Sequence, residues 1–474
     1  MQVGAIAIVL AASLYTAFDL DRFFVPKEVV LHITALLAGI ATLRAPKKES
    51  AADWLLLSYL LLSALSVIFA QNRWLGFRAL AITASGILLF RAARAVDDSK
   101  LLNALAFAVV LASITSLLEA YGVRTQLFAS TRIPGGTLGN RNFVAHAAAF
   151  GLPLLFLAAE RAKRIALPCI GVAIVSASLV LARSRAAWIA AVAMVLVFVV
   201  LSPSKRLFGV AIFAAIGAAA ALMIPNALRW TSENPYMDSV RGMLNGRGRL
   251  TQYERTLFMA GRHPILGVGP GNWSVNYPRE GAGRNDPSMS ETDPGMTTNP
   301  WPSSDWMASA SERGFAAVLL LAIVFVTLAL KGSDDRPRSA TLVAMLVATA
   351  IAGLFDAVLL LPLPAFIVWS AAGALASSTH DRSKKSTLIH IALVVLVLAG
   401  AWRSGAQLTS MAIYSTRSDR RSLESASRID PGNYRLQLRL ARGGSRAQSC
   451  AHARAAHEMY PSAQAAIDAS RGCR

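Results

Sequence analysis

Charge is scarce in this sequence. Of 474 residues, 16% are Asp, Glu, Lys or Arg and 54% are hydrophobic, whereas an ordinary soluble domain is roughly a quarter charged. Such a chain has too little polar surface to cover itself in water, which excludes a conventional soluble protein of this length. Cysteine is scarcer still. Three residues are too few for a disulfide framework or a zinc site, and no pair has metal-ligand spacing. Acidic residues are fewer than basic ones, 27 against 47, for a formal charge of +20. Much of that excess sits in short loops between apolar runs, where membrane topology accounts for it, so nucleic acid is not the expected partner. The first apolar run has no basic n-region and no clear small-residue cleavage site before Asp19, and does not read as a cleaved signal peptide.

Long apolar runs are what the sequence has instead. A bilayer core needs about 20 apolar residues per helix, because lipid offers no partner to bare backbone N–H and C=O groups. About thirteen runs approach that length: 3–18, 28–43, 53–70, 79–90, 101–118, 142–158, 165–181, 187–201, 207–224, 315–330, 340–360, 364–376 and 388–402. The expected fold class is therefore all-α, a polytopic membrane bundle. The organisation expected is an N-terminal transmembrane bundle over 1–224, a large periplasmic loop over 225–312, further transmembrane helices over 313–402 and a helical tail over 403–474. Lys and Arg are retained on the cytoplasmic side. They recur in alternate loops: Arg44, Lys47 and Lys48; Arg91, Arg94 and Lys100; Arg161, Lys163 and Arg164; Lys205 and Arg206; Lys331, Arg336 and Arg338; Arg382, Lys384 and Lys385. This pattern predicts a bacterial inner-membrane protein with a cytoplasmic amino terminus and a periplasmic large loop and tail.

Arg73, Arg124, Arg132, Arg183 and Arg185 fall on the other side, and topology does not explain them. Charges near membrane depth are costly without a task, and a planar guanidinium suits a lipid phosphate or pyrophosphate. Three segments stand out. Gly136-Thr137-Leu138-Gly139-Asn140-Arg141-Asn142-Phe143 places turn-forming residues at a membrane surface, either as a dip in the chain or as a helix entry capped by Asn140 or Asn142. Ser184-Arg185 with Trp188 opens a helix with a cation where the dipole favours an anion; a shared anionic ligand or snorkelling to headgroups would explain it. Arg249 leads a helical stretch ending at His263-Pro264, followed by Gly267, Gly269 and Gly271 before Asn272. These glycines fit neither a phosphate loop nor a dinucleotide fingerprint, and are expected to form a compact turn aimed at a ligand or a neighbouring helix.

The tail differs from the rest. Residues 422–441 and 451–470 each read as helix, turn, helix, around Pro431 and Pro461, 30 residues apart, a pattern similar to a degenerate tetratricopeptide pair. It is expected to dock on the periplasmic face or to bind a partner protein. Cys450 and Cys473 flank the Tyr460-Pro461 turn almost symmetrically, which permits a bridge in an oxidising compartment; two free thiols are the alternative. The stretch Gly281 to Thr298, rich in Gly, Pro, Ser and Asp, has the composition of a lid that closes or orders on substrate.

Taken in order from Leu118 to Leu361, the glycine–asparagine motif, Ser184-Arg185 with Trp188, Arg249, and His263-Pro264 through Asn272 resemble the O-antigen ligase and polymerase superfamily, which includes lipid-linked polysaccharide polymerases and O-oligosaccharyltransferases. The resemblance implies a metal-independent, cofactor-free glycosyltransferase. Its donor would be an undecaprenyl-pyrophosphate-linked glycan and its acceptor a lipid, a glycan or a protein hydroxyl. It places Arg185 and Arg249, with Asn140 and Asn142, on the pyrophosphate. It also implies a histidine base in a segment matching Ser303-Ser304-Asp305-Trp306-Met307, with Glu312 and Gly314 beyond. Ser303 stands at the histidine position and cannot act as a base at neutral pH. Asp305, Glu312, His263 and His146 are the expected substitutes. A relative that binds lipid-linked glycan or scaffolds an assembly complex without catalysis is the second reading. A transporter is third, since no inverted repeat is visible and intramembrane charges are sparse apart from Asp356.

Overall fold

The computed structural model describes all residues except 44–49, 97, 129–130, 229–235, 238–246, 282–285, 331–334, 377–383 and 474. Of the basic loop residues named above, Arg44, Lys47, Lys48, Lys331 and Arg382 lie outside the described residues, as do residues 282–285 of the expected lid. The described chain is all-helical: α1 (Gln2–Leu10), α2 (Asp21–Ala41), α3 (Ala51–Ile68), α4 (Arg73–Ala93), α5 (Asp98–Ala120), α6 (Arg141–Arg161), α7 (Ala166–Ala182), α8 (Arg185–Leu201), α9 (Lys205–Met223), α10 (Arg247–Arg262), α11 (Trp273–Asn276), α12 (Asp305–Arg313), α13 (Phe315–Leu330), α14 (Arg336–Phe355), α15 (Pro362–Leu375), α16 (Lys384–Thr416), α17 (Arg420–Ile429), α18 (Tyr434–Ala441), α19 (Arg446–Met459) and α20 (Gln464–Arg471). Among the described residues eight helices, α2 to α6, α9, α14 and α16, are long and apolar enough to cross a membrane, and α7, α8, α13 and α15 are shorter apolar helices beside them.

The helices depart from the apolar runs where charge is satisfied inside the bundle. α2 and α4 begin seven and six residues earlier than their runs, at Asp21 and Arg73. Arg78 of α4 binds Asp21 at 2.8 Å and Glu28 at 2.5 Å on α2, so charges that look like loop residues are helical. Conversely, the first run is not a full crossing. α1 stops at Leu10, and the ammonium of Lys27 takes the Ala11 and Thr137 carbonyls at 2.5 and 2.7 Å. Close contact between helices relies on small residues, as expected where lipid gives no hydrophobic drive to helix association. A Cβ on Gly373 of α15 would come within 2.2 Å of the Phe90 carbonyl oxygen of α4.

α16 runs 33 residues, through Arg403 and on to Thr416, about 50 Å of helix, and carries the tail back over the loop face. There α17–α18 and α19–α20 form two helix–turn–helix pairs. Trp74 donates to Asp430 at 2.9 Å, Arg435 pairs with Asp19 at 2.5 Å, and the Gln464 amide donates to the Pro294 carbonyl at 2.8 Å. The tail thus packs on the bundle and on the large loop, and residues 286–298 lie between loop and tail, closed by a Met289–Thr297 bridge. Cys450 and Cys473 are disulfide-bonded, with Cα atoms 5.2 Å apart.

Candidate functional site

The glycine–asparagine segment is a turn held from beneath. Glu119 of α5 accepts the amides of Gly135 and Gly136 at 2.6 and 2.8 Å. Gly139 has φ +76°, and a Cβ there would lie 2.3 Å from the Phe23 ring. Asn140 then caps α6, its side chain accepting from the Asn142 amide at 2.9 Å, so its oxygen serves the helix. Asn142 and His146, one turn apart, share the face of α6 that looks toward the end of α14.

Opposite them stands Asp356, the residue after α14. One carboxylate oxygen takes the Ala357 amide at 2.9 Å. The other is 3.5 Å from the Asn142 amide nitrogen and 3.9 Å from Nδ1 of His146. His146 is 1% exposed, and neither ring nitrogen has a hydrogen-bond partner among the described residues. An unsatisfied buried polar group costs about 1–3 kcal/mol, so the imidazole is in an environment that a bound polar group would complete.

Arg249, near the start of α10, acts electrostatically on His146, on Arg185 at the start of α8 and on Tyr253 one turn along its own helix. The two guanidiniums are half-buried and repel each other, and among the described residues neither is in an ion pair. The Tyr253 hydroxyl lies 2.7 and 2.9 Å from the Leu354 and Ser303 carbonyls and donates its one proton to either. This ties α10 to the end of α14. Burial pushes the phenol up, against the pull of Arg249 and with the help of Asp356. Asn142 and His146 therefore meet at Asp356, Arg249 acts on His146 and Tyr253 beside it, and Arg185 is near Arg249.

The other expected residues sit elsewhere. Asp305 is behind the site: its carboxylate accepts the Val358 and Leu359 amides at 3.0 to 3.1 Å and holds the turn that follows Asp356. Burial, with Asp356 nearby, pushes its carboxyl up to about 7. The folded state therefore binds this proton more tightly than the unfolded chain, whose carboxyl titrates near 4. Stability is greatest below that value and falls by about 1.4 kcal/mol per pH unit up to about 7. Accordingly the melting temperature of the wild type should drop from pH 5 to pH 8 by more than that of Asp305→Asn; equal drops would place the ionisation elsewhere.

Glu312 is fully buried at the end of α12, accepting from the Trp273 amide at 3.2 Å and from Arg313 at 3.2 Å. His263 is exposed just past the far end of α10, about 20 Å of helix from Arg249, and does not join the cluster. The glycine turn clamps helices together: Val268 and Gly269 amides donate to the Ser311 and Glu312 carbonyls, and Asn272 exchanges hydrogen bonds with Asn72. Asp356 and Tyr253 are the residues that sequence reasoning did not assign to the site. Asp356 had a signal, since an ionisable residue inside an apolar run marks function by default.

A cavity of about 280 Å³ opens beside the cluster. Its walls include Asp21, Glu28 and Arg78, and Arg435 and Tyr460 reach it from the tail. Glu28 is 1% exposed, and its second carboxylate oxygen has no partner among the described residues. Phe24 and Trp301, on the cavity wall, make tilted ring contacts at 5.4 and 6.4 Å with Phe143, the residue that follows Asn142 on α6.

Residues 170–299 match the family model described as O-antigen ligase, which supports the resemblance to that ligase and polymerase superfamily. The matched stretch contains Arg185, Arg249, Tyr253, His263 and the glycine turn, and stops short of Ser303 and Asp356. No curated protein matches the chain.

Proposed function

We propose that this O-antigen ligase-like membrane protein is a metal-independent glycosyltransferase that moves a glycan from an undecaprenyl-pyrophosphate carrier to an acceptor hydroxyl on the periplasmic side of the inner membrane. The observation that carries the reading is the pair of half-buried guanidiniums, Arg185 and Arg249, without an ion-pair partner among the described residues, with Arg249 acting on the unsatisfied imidazole of His146, whose Nδ1 is 3.9 Å from Asp356. Two cations held together need an anion, and a pyrophosphate supplies it. In the reaction the acceptor oxygen bonds to the anomeric carbon while the bond from that carbon to the pyrophosphate oxygen breaks. Asp356 takes the hydroxyl proton, and the leaving group departs with the bonding electrons, its charge met by Arg185, Arg249 and the amino end of α8. Asn142 and His146 orient Asp356, which fills the role left vacant by Ser303. Asp305 supports it from behind.

The acceptor's sugar occupies the cavity beside the site. Carboxylates that accept from hydroxyls and aromatic faces that pack on apolar ring surfaces suit a glycan, and the tail closes the pocket through Arg435 and Tyr460. Glu28→Gln is expected to raise the acceptor KM about tenfold, the scale of one charge-assisted hydrogen bond, with the donor KM unchanged; a change in donor KM alone would remove the cavity from the acceptor path. The reading as a whole is tested by glycan transfer from undecaprenyl-pyrophosphate donors by the purified protein in lipid with a chelator present. A wild type that binds donor yet never transfers would favour the alternative of a glycan-binding scaffold. The same assay reads the sugar by varying the donor and the lipid, glycan or protein acceptor by varying the acceptor.

A further inference from the structure

At the opposite end of α6 from Asn142, about 30 Å of helix away, a groove of about 860 Å³ runs between α5, α6 and α7. Its walls are apolar: Phe107 and Ile170, about half exposed, line it together with the buried Val110 and Leu155. The rim is basic. Lys163 and Arg164 are exposed there beside Arg161, which itself holds Asp335 at 2.7 Å. Among the described residues no carboxylate lines the groove, Asp335 being held by Arg161 at its rim, and the amino end of α7, the positive end of its dipole, opens at the same rim.

We propose that this groove is a site for an anionic phospholipid of the leaflet opposite the candidate active site. The phosphate sits at Lys163 and Arg164 near the first turn of α7, and an acyl chain lies between Phe107 and Ile170. Two features separate it from ordinary lipid contact. Apolar walls recessed between three helices take a chain, and a rim where Lys163 and Arg164 form no ion pair among the described residues selects the charge of the headgroup; basic pockets between transmembrane helices are the general form of such sites. The site uses none of the residues assigned to glycan transfer, so its test is independent of that reading. A lipid bound there braces the α6–α7 turn, at the far end of the helix that presents Asn142 and His146.

The experiment is native mass spectrometry of the full-length protein, delipidated and then given equimolar phosphatidylglycerol and phosphatidylcholine with identical acyl chains. The wild type should retain phosphatidylglycerol over phosphatidylcholine by about tenfold or more, the scale expected for two basic side chains at a lipid surface. In Lys163→Ala/Arg164→Ala the ratio should fall toward one, and in Lys163→Glu/Arg164→Glu it should fall below one. These residues are on the surface, so both variants keep the fold. A wild-type ratio near one, or an excess of phosphatidylglycerol that either double variant leaves unchanged, would overturn the proposal.

Discussion

Arg249→Ala and Arg185→Ala are each expected to lower glycan transfer by roughly 10²–10³-fold, the effect of removing one preorganised donor from developing negative charge. As the glycosidic bond breaks, the pyrophosphate gains charge in a site where water is partly excluded and where a fixed cation counts for more than it would in solution. The cations are held there before substrate arrives: Arg185 is fixed by the start of α8, and Arg249 by an α10 that Tyr253 ties to the end of α14. Lysine should restore only part of the loss, because it supplies a point charge without the planar pair of donors that fits two phosphate oxygens. The check is single-turnover transfer with donor saturating. Rates within about threefold of wild type would take both residues off the pyrophosphate.

Asp356→Asn should be the most damaging single change on the acceptor side, with a loss of roughly 10²–10⁴-fold, the usual contribution of a positioned general base. The amide is the same size and cannot take the proton, so donor affinity should stay as it is. Asp305→Asn distinguishes the two neighbouring carboxylates. Its oxygens are engaged by the Val358 and Leu359 amides, and its loss should loosen the turn that carries Asp356, costing less activity than loss of Asp356 itself. Transfer that survives in Asp356→Asn and vanishes in Asp305→Asn would reverse the assignment. His146→Gln should fall between them, since His146 orients Asp356 and does not itself receive the proton.

Much of the architecture could be read from apolar length alone. Runs such as 101–118 and 142–158 reappear inside α5 and α6, because a helix crossing lipid has no other way to satisfy its backbone. Where the reading failed, the cause was charge compensated across helices. Asp21, Lys27 and Arg78 look like loop residues in the sequence and are helix residues in the fold, each met by a partner far away in the chain. Arg185, Arg249, Asn142 and His146 were visible as candidates because cations and turn formers at membrane depth contradict their surroundings. His263 stood out for its neighbours Pro264 and Gly267, and those residues serve a helix end and a clamp.

The sequence by itself determined that this chain spans a membrane as a helical bundle, that it sets a large loop before α13 and a paired-helix tail after α16, and that arginines stand at the mouths of α8 and α10. These are properties of local composition: length of apolar run, helix ends and turn residues. The tertiary structure alone brought Asp305, 51 residues before Asp356 in the chain, onto the turn that follows Asp356. It alone decided that Arg435 and Tyr460 of the tail line the cavity that holds Glu28 and that a basic-rimmed groove lies at the far end of α6. Each of these depends on which helices lie side by side, and that is set by the packing of small residues and by ion pairs between distant segments, neither of which leaves a local pattern.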